Sequence, residues 1–171
     1  MPQRYIDTTL FDLFKVGPGP SSSHTIGPMK AGHHFAETCA ALPRDLLVRA
    51  VRFRVRLYGS LSATGTGHGT DAAVVAGLLG TAPESCPAGL LQELMDDPHT
   101  RRKRSLGDGQ VSVCVDDVSH DAIIHDFPYS NTLVADLLDA EDNVLHSQEY
   151  YSVGGGFIQW KGWEPPSLGE P

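Results

Sequence analysis

The residues best suited to chemistry lie in a hydroxyl-rich stretch near the start of the chain, GPGPSSSHTIGP, at positions 17–28. The stretch holds Ser22, Ser23, His24 and Thr25 between prolines, which fix φ, and glycines, which permit turns that other residues avoid. A flexible linker is the alternative, because Gly- and Ser-rich runs often serve as connectors. The imidazole favours a shaped loop that aims hydroxyl groups and one histidine at a small ligand.

A second stretch of small and hydroxyl-bearing residues, GSLSATGTGHGTD, covers positions 59–71. We predict a loop here, in which Gly65, Gly67 and Gly69 turn backbone N–H groups toward an anion. His68 lies between two glycines, and an imidazole titrates near neutral pH, so it suits proton transfer; a capping role is the alternative. The stretch lacks the Gly-Lys-Ser/Thr of a phosphate loop and the G-x-G-x-x-G fingerprint, which disfavours nucleotide binding.

Both stretches lead into predicted helices. Apolar residues from Met29 to Ala40 recur at helical spacing up to a stop at Pro43, and a second helix follows Asp71 and ends at Gly80. Helix starts attract anions such as carboxylates. Two more helices are predicted, over residues 8–15 and over residues 86–95, the latter with Ser85 as its cap.

The strand signals come later in the chain. Residues 51–57 alternate strictly between apolar residues and arginines, which is the period of a half-buried strand. We expect these arginines to be solvated or ion-paired, with contact to a partner domain as the alternative. Residues 132–139 and 144–152 flank a turn and predict a hairpin. The second strand ends in YYSVGGGF, residues 150–157, where three glycines indicate a bulge or the close approach of another backbone. The predicted fold class is α+β, with an antiparallel sheet packed against helices.

Composition restricts the functions that are open to the chain. It has 171 residues, a formal net charge of −8, 40% hydrophobic and 20% charged residues, which is typical of one folded domain. We assign residues 1–161 to that domain and residues 162–171 to a Pro-rich linker. The acidic balance disfavours nucleic acid as a partner, and the basic run at residues 99–104 reads as a solvated loop or a contact to acidic neighbours. The chain shows no membrane-spanning run and no signal peptide, so we expect a cytoplasmic location.

The cysteines and the paired histidines do not form a metal motif. Cys39, Cys86 and Cys114 are odd in number and widely spaced, which predicts neither disulfides nor a cluster site. His33 and His34 would point about 100° apart on a helix, so they do not pair on one metal and are expected at the surface or in capping roles. We therefore predict no metal site in this chain.

Three stretches together resemble a known family. They are GPSSSHTIGPMKAG at residues 19–32, YGSLSATGTGHGTDAAVVAGLLG at residues 58–80, and YYSVGGGF at residues 150–157. In this order they resemble the β domain of the iron-sulfur L-serine dehydratases, bacterial L-serine ammonia-lyases that work without pyridoxal phosphate. The resemblance extends over nearly the whole chain.

The resemblance implies a larger enzyme than this chain. A partner α domain or subunit would hold a [4Fe-4S] cluster, one iron of which would bind the serine hydroxyl as a Lewis acid. The reaction would convert L-serine to pyruvate and ammonia, and this chain alone would be inactive. The family resemblance also implies a homo-oligomer and a fold similar to the allosteric substrate-binding domain of phosphoglycerate dehydrogenase.

The same resemblance assigns roles to individual residues. His68 matches a histidine proposed as the general base. The substrate-binding residues implied by the match are Ser22, Ser23, His24, Thr25, Gly69, Thr70, Asp71 and Asn131. The chain departs from the family pattern twice, because FPYSN at residues 127–131 replaces a His-Pro-Asn stretch and Thr66 replaces a lysine. The main alternative to this function is a non-catalytic module that binds a small amino or hydroxy acid. A phosphate-loop enzyme is a further alternative.

Overall fold

The computed structural model describes residues 22–165, without the side chains of residues 65–68. This part begins with a π-helical turn, Ser22–Ile26, and contains five α-helices. They are α1 (Gly27–Ala40), α2 (Arg44–Leu47), α3 (Ser60–His68), α4 (Thr70–Leu78) and α5 (Leu90–Asp96). The helices predicted from Met29 to Ala40 and from Asp71 to the stop at Gly80 are confirmed as α1 and α4. The helix predicted over residues 8–15 lies outside the described residues.

Seven strands form one sheet in the described part of the chain. They are β1 (Arg52–Tyr58), β2 (Arg102–Leu106), β3 (Gly109–Val113), β4 (Val118–His120), β5 (Thr132–Leu138), β6 (Val144–Gly154) and β7 (Phe157–Trp160). The order of the strands is β2-β3-β1-β5-β6-β7. Strand β4 pairs with the same edge of β1 as β3 does: β3 pairs at the start of β1, and β4 pairs toward its end. The predicted β5–β6 hairpin is confirmed.

The sheet is mixed, which corrects the expected antiparallel sheet while the α+β class holds. β1 runs antiparallel to β5 but parallel to β3 and β4. The reason is the β2–β3 hairpin, which reverses the chain before it returns to β1. Only the second strand of that hairpin has an alternating apolar pattern, so no local pattern predicts the reversal.

The two faces of the sheet differ as the alternation in β1 predicts. Phe53, Val55 and Leu57 are buried against the helices, and the ring of Phe53 lies 5.9 Å from the ring of Phe35 in α1. On the opposite face, Asp136 of β5 is buried and accepts hydrogen bonds from Arg54 and Arg56, while Arg52 pairs with Asp117 and Asp142. The prediction that these arginines are ion-paired is confirmed.

Helices α1 and α4 cross in direct backbone contact. A Cβ atom at Gly77 would lie 2.1 Å from the carbonyl oxygen of Met29, and one at Gly32 would lie 2.4 Å from that of Val74. Both glycines have helical φ, so the reason for glycine is space rather than backbone conformation. This contact fixes the position of α4, whose first turn belongs to the site described below.

Three local predictions are wrong in their details. The loop expected over residues 59–71 is mostly helix α3, so Gly65 and Gly67 do not form an anion-binding loop, and only Gly69, with φ of 71°, breaks the helix. The helix expected from residue 86 begins at Leu90, because a 3₁₀ turn, Pro83–Ser85, and a left-handed Gly89 precede it. The basic run at residues 99–104 leads into strand β2 instead of a solvated loop. Its arginines do contact acidic neighbours, as expected.

Candidate functional site

The imidazole of His24 links the π-helical turn to the start of α3. Its Nδ1 lies 2.8 Å from the hydroxyl of Ser23, and its Nε2 lies 3.0 Å from the hydroxyl of Ser60. A hydroxyl both donates and accepts hydrogen bonds, so these partners suit either neutral tautomer and the cation. The contacts therefore fix the orientation of the His24 ring without fixing its protonation state.

The backbone of the same turn is fastened from two other elements. Thr70, the first residue of α4, donates its hydroxyl to the carbonyl of His24 at 2.5 Å. Ser152 of β6 donates its hydroxyl to the carbonyl of Ser23 at 2.7 Å. Thr25 and Ile26 are buried. The stretch is thus part of the folded core, and the linker alternative is wrong for its described part.

The glycines of YYSVGGGF shape a corner against this turn. Gly154, Gly155 and Gly156 have φ values of 98°, 61° and 79°, and the register between β6 and β7 shifts there. A Cβ atom at Gly156 would lie 2.8 Å from a methyl carbon of Ile26. The register shift confirms the predicted bulge. The close neighbour at Gly156 is the side chain of Ile26, where the alternative expected another backbone.

Asp71 and His120 form an ion pair beside the start of α4. The Nε2 of His120 lies 3.0 Å from one carboxylate oxygen of Asp71 and 3.1 Å from the other. Its Nδ1 lies 2.9 Å from the carbonyl oxygen of Ser62 in α3. Burial lowers the pKa of His120, but the hydrogen bonds with Asp71 and Ser62 and the charge of Asp121 outweigh it, so the pKa is raised overall. A small cleft lined by Gly69, Asp71, Met95 and Val115 opens next to this pair.

Asn131 contributes a buried polar atom beside the strand that supports the turn. Its side-chain oxygen is buried and has no hydrogen-bond partner among the described residues. Its backbone carbonyl accepts a hydrogen bond from the amide of Ser152 at 2.9 Å, which joins it to the strand that supports Ser23. Because an unpaired buried acceptor is costly, this oxygen is a natural contact for a ligand with N–H groups.

The structure brings several predicted site residues together. Ser23, His24 and Thr70 are joined by direct hydrogen bonds or through the backbone, and Asp71 follows Thr70. Ser22 is exposed at the start of the turn. His68 is the last residue of α3, but its side chain lies outside the described part of the structure.

Sequence reasoning missed three residues that hold the site together: Ser60, His120 and Ser152. Ser60 and Ser152 lie inside the stretches that were singled out, so their hydroxyls were available as candidates. His120 had no signal, because it lies on a three-residue strand far from both stretches. Its contact with Asp71 joins residues 49 positions apart.

The described residues offer no ligand set for a metal or a cluster. They contain no group of three His, Cys, Asp or Glu side chains placed to hold an ion. Burial raises the pKa of Cys39 to about 12, so this thiol resists the ionisation that metal binding requires. The described residues therefore do not fit a [4Fe-4S] cluster.

His34 departs from its expected surface role. Its Nδ1 lies 2.7 Å from the hydroxyl of Tyr150, and its ring stacks on Trp160 at 4.3 Å. Burial and the neighbouring His33 lower the pKa of His34, which favours a neutral ring. His34 therefore packs α1 against β6 and β7. The sequence pattern around His34 predicts a helix but does not show that β6 and β7 cover one side of it.

Among residues 22–165, no helix has the length and apolar character needed to cross a membrane.

Fold and site together define a class: an α+β domain whose polar site combines serine and threonine hydroxyls with histidine imidazoles on the ends of several elements. The model of the family described as serine dehydratase beta chain matches residues 9–163. The chain belongs to this family.

Individual relatives agree with the family match. The chain is similar to L-serine dehydratase 2 of Escherichia coli, with 40% identity over 156 residues that cover 88% of this chain and 33% of that protein. The L-serine dehydratases of Streptomyces coelicolor and Haemophilus influenzae are 40% and 37% identical, again over 88% of this chain and 33% of their own length. The chain thus spans about a third of the length of the curated relatives it matches.

Proposed function

We propose that this chain is the β part of an L-serine dehydratase and supplies substrate contacts and the general base for converting L-serine to pyruvate and ammonia. The supporting observation is that the start of α3, the start of α4 and β6 all bond to the turn that carries His24. A turn fastened from three elements is pre-organised, which is what positioning a small amino acid requires.

The substrate contacts come from hydroxyl groups and one amide. Ser22 and Ser23, with Thr25 behind them, offer hydroxyls for the serine carboxylate, and His24 orients it. The side-chain oxygen of Asn131 accepts a hydrogen bond from the substrate ammonium group, which supplies the partner that this buried atom lacks. Backbone contacts from Gly69 and Thr70 complete the set.

His68 is the proposed base that removes the α-proton. An imidazole with a pKa near its ordinary value suits this step around neutral pH. A substrate contact from Asp71 stays a prediction, and its carboxylate meets His120 in the structure. His24 acts on binding rather than on proton transfer in this proposal.

The proposal extends to parts that this chain does not contain. The [4Fe-4S] cluster belongs to an α domain or subunit, because the described cysteines cannot hold it. Its chemistry there is Lewis-acid assistance to the departing hydroxyl. The proposal also includes a homo-oligomeric enzyme in the cytoplasm, a linker at residues 162–171 and a fold related to the allosteric substrate-binding domain of phosphoglycerate dehydrogenase.

The test is anaerobic turnover of L-serine, followed as pyruvate, by this chain alone and by the chain joined to an iron-sulfur α part. We expect pyruvate only from the joined form. In that form, His68→Ala should lower kcat by about 100-fold or more, while His24→Ala should mainly raise KM. His99→Ala is the matched control, because His99 is exposed, pairs with Asp116 and is not one of the proposed site residues.

Two results would contradict this proposal in different ways. Near-normal turnover by His68→Ala would remove that residue as the base. No pyruvate from either form, together with calorimetric binding of L-serine to this chain, would instead favour the non-catalytic binding module.

A further inference from the structure

The ring of His120 faces a hydrogen-bond acceptor at each of its two nitrogens. Nδ1 points at the carbonyl oxygen of Ser62, and Nε2 points at the carboxylate of Asp71. Neither oxygen of an ionised carboxylate nor a peptide carbonyl can donate a hydrogen bond. Both contacts are hydrogen bonds only when both ring nitrogens carry a proton, which makes the ring a cation.

His24 provides the contrast within the same site. Its ring contacts the hydroxyls of Ser23 and Ser60, which donate or accept as the ring requires. These two contacts suit a neutral ring as well as a charged one, whereas a neutral His120 would turn a lone pair toward an acceptor. The contacts of His120 therefore select the cation, while those of His24 with Ser23 and Ser60 select no protonation state.

The two partners of His120 lie on either side of the corner between α3 and α4. Ser62 is in the first turn of α3, Asp71 is the second residue of α4, and His68 and Gly69 form the corner between them. A second bond strengthens the attachment, because the hydroxyl of Ser62 donates to the carbonyl of Asp121 at 2.6 Å. Strand β4 thus holds both helices from one side.

We propose that His120 is a positioning residue, held as an imidazolium at neutral pH, whose charge fixes the α3–α4 corner that carries His68. Among the described side chains, the charged groups that face it are Asp71 from α4 and Asp121 from its own segment, both acidic, while β1 presents Leu57 beside it. The effect of this residue on turnover rests on the proposed function, but its protonation state and its hold on the corner do not.

The pH dependence follows from the sign of the interaction. Pairing with Asp71 raises the pKa of His120 above its ordinary value of 6.5. Its contribution is therefore fully present below about pH 6.5 and is lost as pH rises through the higher value of the folded protein. The corner should loosen on the alkaline side of neutrality, not on the acid side.

The first test is ¹⁵N NMR of the histidine rings in this chain, with the His120 signals assigned through His120→Gln. At pH 6.5 we expect both ring nitrogens of His120 to have imidazolium shifts. Asp71→Asn should lower the midpoint of the His120 titration by about one unit or more. Asp116→Asn, which removes the partner of the exposed His99, is the matched control and should leave His120 unchanged. A neutral His120 ring at this pH, with the proton on Asp71, overturns the proposal.

The second test measures the corner itself by amide hydrogen exchange at pH 6.5. In His120→Gln, the amide of Ala73, which donates to the carbonyl of Gly69 at the corner, should exchange about tenfold faster than in the wild type, while that of Phe35 in α1 should not change. Unchanged exchange at the corner overturns the positioning role even if the ring is a cation.

The third test uses the joined enzyme. The wild-type kcat should fall as pH rises through the His120 midpoint, and His120→Gln should have kcat lowered about tenfold at pH 6.5 and lack this alkaline limb. If His120→Gln keeps both the wild-type kcat and the fall of kcat at alkaline pH, the proposed effect of His120 on His68 is overturned. A cationic ring and a loosened corner in an enzyme without activity on L-serine would refute the proposed function alone, and would confirm this inference for the fold.

Discussion

The close crossing of α1 and α4 makes Gly77→Ala a demanding test of the structure. Helix propensity alone predicts that this change stabilises the protein by about 1 kcal/mol. The added Cβ atom, however, would lie 2.1 Å from the carbonyl oxygen of Met29 and 2.8 Å from the amide nitrogen of His33. Since such contacts are not tolerated below about 3.0 Å, the helices must separate by about 1 Å.

The size of the loss can be worked out from the side chains at this crossing. Met29, Val74 and Leu78 are fully buried, and each contributes about 1.5–3 kcal/mol by burial. A gap of about 1 Å forfeits a quarter to a half of close-packing contacts, or about 3 kcal/mol for the three. After the gain in helix propensity, the net loss is about 2 kcal/mol, equivalent to a fall in Tm of about 4–8 °C.

The assay is urea unfolding of a double-mutant cycle. Gly32→Ala opens the same crossing, so its combination with Gly77→Ala should cost at least about 1 kcal/mol less than the sum of the single changes. Gly89→Ala is the control, because its Cβ meets nothing within 4 Å and its cost comes from a φ of 85°. That change should add to Gly77→Ala within about 0.5 kcal/mol. A stabilised Gly77→Ala, or full additivity with Gly32→Ala, would refute the reasoning.

Three further predictions concern polar contacts. Asp136→Asn should lower the free energy of unfolding by about 3 kcal/mol in urea, because it leaves Arg54 and Arg56 without their buried counter-charge; a loss below about 1 kcal/mol would argue against it. Ser152→Ala should cost about 1 kcal/mol in the same assay and raise KM for L-serine in the joined enzyme, since it removes the donor to the Ser23 carbonyl. Asp139 is buried, which raises its pKa, but hydrogen bonds from Asn143, Glu141 and Arg49 lower the pKa overall. Its stabilisation is thus present above about pH 4 and lost at lower pH, so wild type and Asp139→Asn should differ in thermal stability at pH 7 and converge near pH 2.

The elements that were predictable from the sequence are those specified by local pattern. The alternation of Phe53, Val55 and Leu57 predicted β1, and helical spacing predicted α1 and α4. The small residues of α3 indicated a loop, because two internal glycines weaken a helix. That helix forms because Leu61 is fully buried and because the segment around β4 bonds to Ser62. Contacts of this kind cannot be read from a window of neighbouring residues.

The site shows the same limit. The composition of the two hydroxyl-rich stretches is unusual, so it identifies Ser23, His24 and Thr70 as candidate site residues without knowledge of their contacts. His120 is one histidine among eight, and nothing in its neighbours distinguishes it. Its role depends on the parallel pairing of β4 with β1, which is a property of the whole topology.

The strand order has a consequence for how the chain acquires its shape. β1 is the centre of the sheet, yet its partners are residues 112, 118–120 and 132–138, all of which are synthesised much later. The backbone edges of β1 therefore have no partner strand until residue 112 and those beyond it are made, and closing such long loops slows folding. The bonds that hold the His24 turn span 36 to 129 residues, so a chain that ends before β6 cannot assemble the full set. Slow amide exchange at Ala73, beside this turn, would then report the folding of the entire domain, and a truncation before β6 should leave a chain prone to aggregation.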